Sequence, residues 1–154
     1  MKKWQLGIVA GLALLVGIGV NWLSKNDFTT LEGQAYKWRE LHGQWVVVNY
    51  FASWCAPCLR EMPELNQFAA EYPQYPIFAL SFDPKSAAEL RTMAMQFQIT
   101  FPVIAELDSA PWQAIPSTLP HTIIIDPQGK VVAELKGEQS ALGLAQTIAK
   151  LQGA

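Results

Sequence analysis

The chain has 154 residues, about half of them apolar, and a formal net charge of −2 at pH 7. This length suits one ordinary domain with its own hydrophobic core. Charges of both signs are mixed and no long basic run occurs, which argues against nucleic acid as a partner. The two cysteines, Cys55 and Cys58, are separated by only two residues, a spacing that indicates chemistry rather than a structural bridge.

Residues 1–25 form a separate N-terminal segment. Lys2 and Lys3 precede an uncharged, mostly apolar stretch over residues 4–23. As a helix rising about 1.5 Å per residue, this stretch would span about 30 Å, the hydrocarbon thickness of a bilayer. We predict a transmembrane signal-anchor at 1–25, with the lysines cytoplasmic and a domain at 26–154 outside the cytosol. A cleaved signal peptide is the alternative, although no Ala-x-Ala site is present; a buried core helix would show a polar stripe.

The first half of the domain contains three predicted elements. Residues 26–36 predict an edge strand with a turn at residues 32–34. The run at 45–51 is β-branched and aromatic and is apolar on both faces, as expected of a buried central strand. A helical pattern begins at Cys55. The cysteines therefore open a helix at the end of a strand.

In the second half of the domain, residues 77–82 are a predicted strand. The capping box from Ser86 to Glu89 indicates a helix that runs to about residue 98. A short strand at 102–104 precedes a loop with a short helix around Trp112. The strands at 122–126 and 131–136 are joined by Asp126-Pro127-Gln128-Gly129, which has the signature of a type I turn, and a helix at 140–151 follows. This order predicts an α/β fold, a mixed sheet flanked by helices.

A Cys-x-x-Cys pair at a helix start predicts redox chemistry. Unpaired backbone N–H groups and the positive end of the helix dipole stabilise a thiolate on the first sulfur. Cys55 is therefore the candidate nucleophile, and Cys58, one turn on, would resolve the mixed disulfide. Pro57 suits the first helical turn, because its φ is fixed and it lacks an N–H. A structural zinc site would need more ligands, and His42 and His121 lack paired spacing, so no metal is expected.

Residues 46–63, VVVNYFASWCAPCLREMP, resemble the active-site segment of the TlpA/ResA-like thiol-disulfide oxidoreductases. Phe101-Pro102-Val103, Leu119-Pro120-His121-Thr122 and residues 125–130 resemble later landmarks of that family, in the same order. The likeness covers about residues 28–151. It implies a thioredoxin-like fold and a tethered reductase that keeps exported thiols reduced, often those of apocytochromes c awaiting haem.

The resemblance also implies roles for four further residues. Pro120 matches the family's cis-proline beside the active disulfide, and Leu119 would offer backbone groups to an extended client; without the resemblance, Pro120 is simply a strand boundary. Glu61 lies on the Cys58 face of the helix and matches an acidic residue that exchanges a proton with the thiols; its alternative is a solvated glutamate. Trp54 would shield the disulfide and contact the client, or only pack.

Three departures from the family pattern limit these assignments. Asn49 occupies the strand position where thioredoxin has a buried aspartate, which makes Glu61 the better candidate for handling a proton. His121 replaces a common threonine and either tunes the site with pH or packs at a strand end. Residues 114–118 are neither Gly-rich nor acidic, unlike the corresponding segment of dedicated cytochrome-maturation members. The client is therefore left open.

We expect a membrane-anchored, extracytoplasmic thiol-disulfide oxidoreductase that reduces exported proteins, apocytochrome c among them, without a cofactor. Its domain would lie in the periplasm or extracytoplasmic space, on a single-pass anchor in the cytoplasmic membrane. A transmembrane thiol electron donor of the DsbD/CcdA kind would re-reduce Cys55 and Cys58. A disulfide oxidase and a non-catalytic tethered binding module are the alternatives. A peroxidase fits less well, because paired cysteines suit dithiol exchange.

Overall fold

The computed structural model of the chain describes residues 25–153. The predicted signal-anchor at 1–25 lies outside these residues, apart from Lys25. Within residues 25–153, no helix combines the length and the apolar character that a bilayer crossing requires.

The described chain contains seven strands, which are β1 Phe28–Thr30, β2 Ala35–Tyr36, β3 Val46–Phe51, β4 Ile77–Ser81, β5 Val103–Leu107, β6 His121–Ile125 and β7 Val131–Lys136. They form one mixed sheet, in the order β2-β1-β5-β4-β3-β6-β7. The strands β3, β4 and β5 are parallel to one another, and every other neighbouring pair is antiparallel. The helices are α1 Ala56–Glu71, α2 Ala87–Gln96 and α3 Ala141–Gln152, with a 3-10 helix at Trp38–Leu41. The predicted mixed sheet flanked by helices is confirmed.

Local sequence signals account for most element boundaries. All six residues of β3 are buried, as its two-sided apolar pattern predicts. Ser86 caps α2 with the predicted capping box, in which Glu89 reaches back to the Ser86 N–H. In the β6–β7 hairpin, the N–H of Gly129 donates to the Asp126 carbonyl at 2.9 Å. The 3-10 helix was not predicted, and β5 extends three residues beyond the end of the predicted strand.

The predicted short helix around Trp112 is wrong. Residues 108–120 contain bends and irregular backbone instead. The physical reason is proline spacing: Pro116 disfavours helical backbone at the residue before it, so a helix starting at Pro111 would have about one turn, too short to be stable. The indole Nε1 of Trp112 donates instead to the Tyr50 hydroxyl at 2.9 Å, which fastens the loop to β3.

The three α-helices pack on one face of the sheet. Because β3, β4 and β5 step in one direction across the sheet, right-handed crossovers put α1 and α2 on the same side. Leu65 of α1, Leu90 of α2 and Leu144 of α3 are buried in one cluster with Val47 and Phe51 of β3. Two βα units and the C-terminal helix thus enclose a single core.

The opposite face is covered by the 3-10 helix and by the loop at 108–120. Phe28 packs against Trp38 and Phe78, with ring centroids 4.5 and 5.1 Å apart. The Asp27 carboxylate accepts the Trp38 backbone N–H at 2.8 Å and the Ser109 hydroxyl at 2.6 Å. These contacts fasten the start of the described chain, the 3-10 helix and the loop into one aromatic layer.

The packing of α3 on the sheet can be tested by substituting two of its leucines. Leu144 is fully buried against the sheet, whereas Leu142, in the same helix, is 60% exposed. We predict that Leu144→Ala lowers the free energy of unfolding by about 2–5 kcal/mol, because it removes buried methyl groups and leaves a cavity. Leu142→Ala is the matched control, with an expected change within about 0.5 kcal/mol. Urea denaturation measures both, and equal losses would contradict the assigned packing.

Candidate active site

The two cysteines lie where β3 leads into α1. Cys55 is the N-cap residue of α1 and forms a disulfide with Cys58, whose backbone N–H donates to Cys55 Sγ at 3.2 Å. Pro57 lies in the first helical turn, as predicted. Cys58 is fully buried, whereas Cys55 keeps 4% of its surface exposed. The helix start therefore directs an N–H at the more accessible of the two sulfurs, where it stabilises negative charge.

Glu61 lies one turn further along α1 and is only 1% exposed, so it is not a solvated surface glutamate. Its carboxylate accepts the Asn49 side-chain N–H at 2.8 Å and the Gln139 backbone N–H at 2.9 Å. Burial raises the pKa of Glu61 to about 7 against the opposing effect of these two hydrogen bonds, and the nearby Glu138 carboxylate adds to the rise. A proton can therefore bind and leave this carboxyl near neutral pH.

Asn49, which the sequence analysis set aside as a proton-handling residue, is part of the same cluster. It is fully buried in β3, and its Nδ2 donates to Thr122 Oγ1 at 3.1 Å as well as to Glu61. A signal for this contact was present in the sequence. A carboxamide inside an otherwise apolar strand requires a buried polar partner, and the following helix carries one.

Trp54 is exposed over 64% of its surface, so most of its indole is not packed against the protein. Its Nε1 donates to Asp83 Oδ2 at 2.7 Å, and its ring meets Phe82 edge-on with centroids 6.1 Å apart. The indole next to Cys55 is thus held in place by the segment after β4 while most of its surface remains open to solvent.

Leu119 and Pro120 lie at the same edge of the sheet as the end of β3, because Tyr50 of β3 pairs with His121 of β6. The Leu119-Pro120 peptide bond is cis, which confirms the prediction made for Pro120. The Pro120 carbonyl accepts the N–H of Gly137 at 2.9 Å, and the Leu119 side chain packs against the buried clusters on both faces.

His121 is buried at the start of β6, and its Nε2 lies 3.0 Å from Glu134 Oε2. Successive residues of a strand point to opposite faces, and the neighbouring Thr122 contacts Asn49 on the helical face. His121 therefore points away from Glu61, to the face of the sheet that carries the aromatic layer.

No three His, Cys, Asp or Glu side chains among residues 25–153 lie close enough together to hold a metal ion. His42 contacts the turn that contains Gly129, since a Cβ added to Gly129 would lie 2.5 Å from His42 Nε2. The two histidines considered as zinc ligands thus lie in different parts of the fold. His42 lies at this turn, and His121 lies at the start of β6.

A thioredoxin-like sheet, a Cys-x-x-Cys pair at a helix start and a cis-proline at the same sheet edge define a thiol-disulfide oxidoreductase of the thioredoxin superfamily. The AhpC/TSA family matches residues 24–134. Thiol-disulfide oxidoreductase ResA of Bacillus thuringiensis subsp. konkukian is 33% identical over 131 residues, 80% of this chain and 72% of that protein. The chain belongs to the AhpC/TSA family and, within it, to the TlpA/ResA-like thiol-disulfide oxidoreductases.

Other proteins are similar to the chain in sequence or in fold. Thioredoxin-like protein YneN of Bacillus subtilis is 29% identical over 152 residues, 85% of this chain and 88% of that protein. A secreted Mycobacterium tuberculosis disulfide oxidoreductase homologous to E. coli DsbE superposes with a TM-score of 0.65 at 20% identity, over 80% of this chain and 93% of that one. The pneumococcal exposed lipoprotein thioredoxin of Streptococcus pneumoniae gives 0.66 at 21%, over 80% and 96%. These structures confirm the thioredoxin-like fold.

Glu61 makes stability depend on pH. Between its ordinary pKa of 4.5 and its folded pKa of about 7, the folded protein holds a proton that the unfolded chain has lost. This stabilisation is complete below 4.5 and is lost as the pH rises through 7, so the free energy of unfolding should fall by roughly 3 kcal/mol across this range. Glu61→Gln should lack this component. Urea unfolding of the oxidised protein at successive pH values measures it, and parallel curves would contradict the assignment.

Proposed function

We propose that the chain is a membrane-anchored, extracytoplasmic reductase that transfers electrons from Cys55 and Cys58 to disulfides of exported proteins. The observation that carries this proposal is that the start of α1 brings a backbone N–H and a buried carboxyl group to the two cysteines. An N–H donates to Cys55 Sγ, and a buried carboxyl with a pKa of about 7 follows Cys58 by one turn. This arrangement supplies both a stabilised thiolate and a proton acceptor.

In the first step the Cys55 thiolate attacks one sulfur of the client disulfide. A new S–S bond forms between Cys55 and the client, the client's own S–S bond breaks, and its second sulfur leaves as a thiolate that takes a proton from water. Cys55 performs this attack because it is the more exposed cysteine and because the Cys58 N–H stabilises its thiolate.

In the second step Cys58 resolves the mixed disulfide. The Cys58 thiol transfers its proton to the Glu61 carboxylate, and its sulfur attacks Cys55 Sγ. The bond between Cys55 and the client breaks, and the client leaves as a second thiolate that is protonated in turn. Two electrons pass to the client and the Cys55–Cys58 disulfide remains. Re-reduction reverses these events, so Glu61 then returns its proton.

The client is held at the sheet edge beside the disulfide. Leu119 offers its backbone groups to an extended client segment, Pro120 orients this backbone, and the exposed indole of Trp54 covers the reacting sulfurs. Support comes from the pairing of β3 with β6, which brings the Leu119-Pro120 segment to the edge from which α1 starts.

The proposed location follows from residues 1–25, where two lysines precede an uncharged apolar stretch long enough to span a bilayer. Two structurally similar proteins are themselves described as secreted and as an exposed lipoprotein. Outside the cytosol a reductase needs an electron supply, so we propose a transmembrane thiol donor of the DsbD/CcdA kind. Apocytochromes c are one proposed client class.

Trapping tests the mechanism. Cys58→Ser in the full chain should accumulate mixed disulfides between Cys55 and its clients, because the resolving thiol is absent. Cys55→Ser is the matched control and should give no adducts and no disulfide reduction. The adducts should sediment with membranes. Normal turnover by either variant would exclude the two-cysteine mechanism, and a non-catalytic binding module would give no adducts with Cys58→Ser.

The redox potential tests the direction of electron transfer. A reductase should equilibrate with glutathione buffers towards the thioredoxin value of about −270 mV. The oxidase alternative requires a value near that of DsbA, about −120 mV. Measurement on the intact protein by alkylation of the free thiols decides between them, and a potential close to the second value would refute the proposed direction.

A further inference from the structure

The buried amide of Asn49 has a hydrogen-bonding group left over. Its Nδ2 donates to Glu61 Oε1 at 2.8 Å and to Thr122 Oγ1 at 3.1 Å. Its Oδ1 is also buried and has no hydrogen-bond partner. An unpaired carbonyl oxygen in a protein interior is unfavourable, so its presence beside a carboxyl group that exchanges protons calls for a physical reason.

We propose that Asn49 is a positioning residue that keeps Glu61 able to switch protonation state, by presenting its N–H to the carboxylate and, after rotation about χ2, its carbonyl oxygen to the carboxylic acid. This inference rests on the proposed reductase function and deepens it, because it identifies what allows Glu61 to take up and return the proton of Cys58.

The Asn49 amide has two orientations, and each suits one protonation state of Glu61. With Glu61 ionised, Nδ2 has two acceptors and Oδ1 has no partner. With Glu61 protonated and the amide rotated, Oδ1 accepts the acid proton and the Thr122 hydroxyl proton, and Nδ2 is left unpaired. The Thr122 hydroxyl can form a hydrogen bond with the Asn49 amide in either orientation, because a hydroxyl both donates and accepts. Each state leaves one amide group without a partner, so both protonation states keep a hydrogen bond to Asn49. The bond to the carboxylate is charge-assisted and therefore the stronger of the two, so Asn49 modestly favours the ionised state.

The other groups around Glu61 cannot reverse in this way. The Gln139 N–H can only donate, and it therefore always favours the carboxylate. Glu138, held by Arg60, opposes ionisation through its charge. On α1, Glu64 lies one turn after Glu61 and accepts the N–H at the start of α3, and Cys58 lies one turn before it. The residues that face Glu61 from β3 and β6 are Asn49 and Thr122, which do not titrate. Asn49 is thus the side-chain partner that can both donate and accept.

The experiment follows the Glu61 carboxyl directly in the oxidised full-length protein, in which the cysteines do not titrate. Infrared absorption of the protonated carboxyl, identified by its loss in Glu61→Gln, is recorded against pH.

Asn49→Leu removes the donor to the carboxylate at similar volume, and we expect the Glu61 midpoint to rise by about one pH unit. The pH profile of insulin disulfide reduction should move in the same direction. Thr122→Val keeps the Asn49–Glu61 contact and should leave the midpoint within about 0.3 pH units.

A second variant covers failure of Asn49→Leu to fold, which near-ultraviolet circular dichroism would reveal. Asn49→Asp places another carboxyl beside Glu61, and the two should then share one proton and titrate in two separated steps. A Glu61 midpoint unchanged in Asn49→Leu, or a single unshifted step in Asn49→Asp, would overturn the inference even if the wild-type protein is an active reductase. A wild-type protein without reductase activity but with the expected shifts would refute the proposed function alone.

Discussion

The buried polar cluster next to the disulfide depends on one carboxyl group being held out of water between three elements. Glu61 projects from α1, receives the Asn49 amide N–H from β3 and receives the Gln139 N–H from the segment that enters α3. These contacts exist only because α1 and α3 share a face of the sheet, where the right-handed crossovers between parallel strands place α1. Burial then raises the pKa of Glu61 to about 7, so that the carboxyl can bind and release a proton near neutral pH.

The alternation of side chains along β3 divides the site between two faces. Asn49 points towards the helices and contacts Glu61, whereas Tyr50, the next residue, points to the aromatic layer and accepts a hydrogen bond from Trp112. The same strand thereby supports the Asn49–Glu61 cluster on one side and the loop that leads to Leu119 and Pro120 on the other. Both lines of support end at one sheet edge, where the disulfide lies.

Sequence patterns of short range predicted most of this fold. The two-sided apolar run of β3, the capping box at Ser86 and the Asp126–Gly129 turn are decided by neighbouring residues, and they lie where they were expected. The helix assigned around Trp112 failed for the opposite reason. There the local pattern is weak, prolines limit the helix to about one turn, and a contact with Tyr50, 62 residues away, decides the conformation.

The amino-acid sequence by itself determined the reactive pair, since Cys55, Pro57 and Cys58 acquire their chemistry from positions in a single helical turn. Only the tertiary structure decided that Glu61 is buried and that Asn49 is its partner. The hydrogen bonds of this cluster join residues 12, 73 and 78 positions apart, a separation that no periodic pattern reports. Spacing within a helix specifies which cysteine sulfur receives the stabilising N–H, whereas the packing of distant elements specifies which carboxyl group is buried beside the pair.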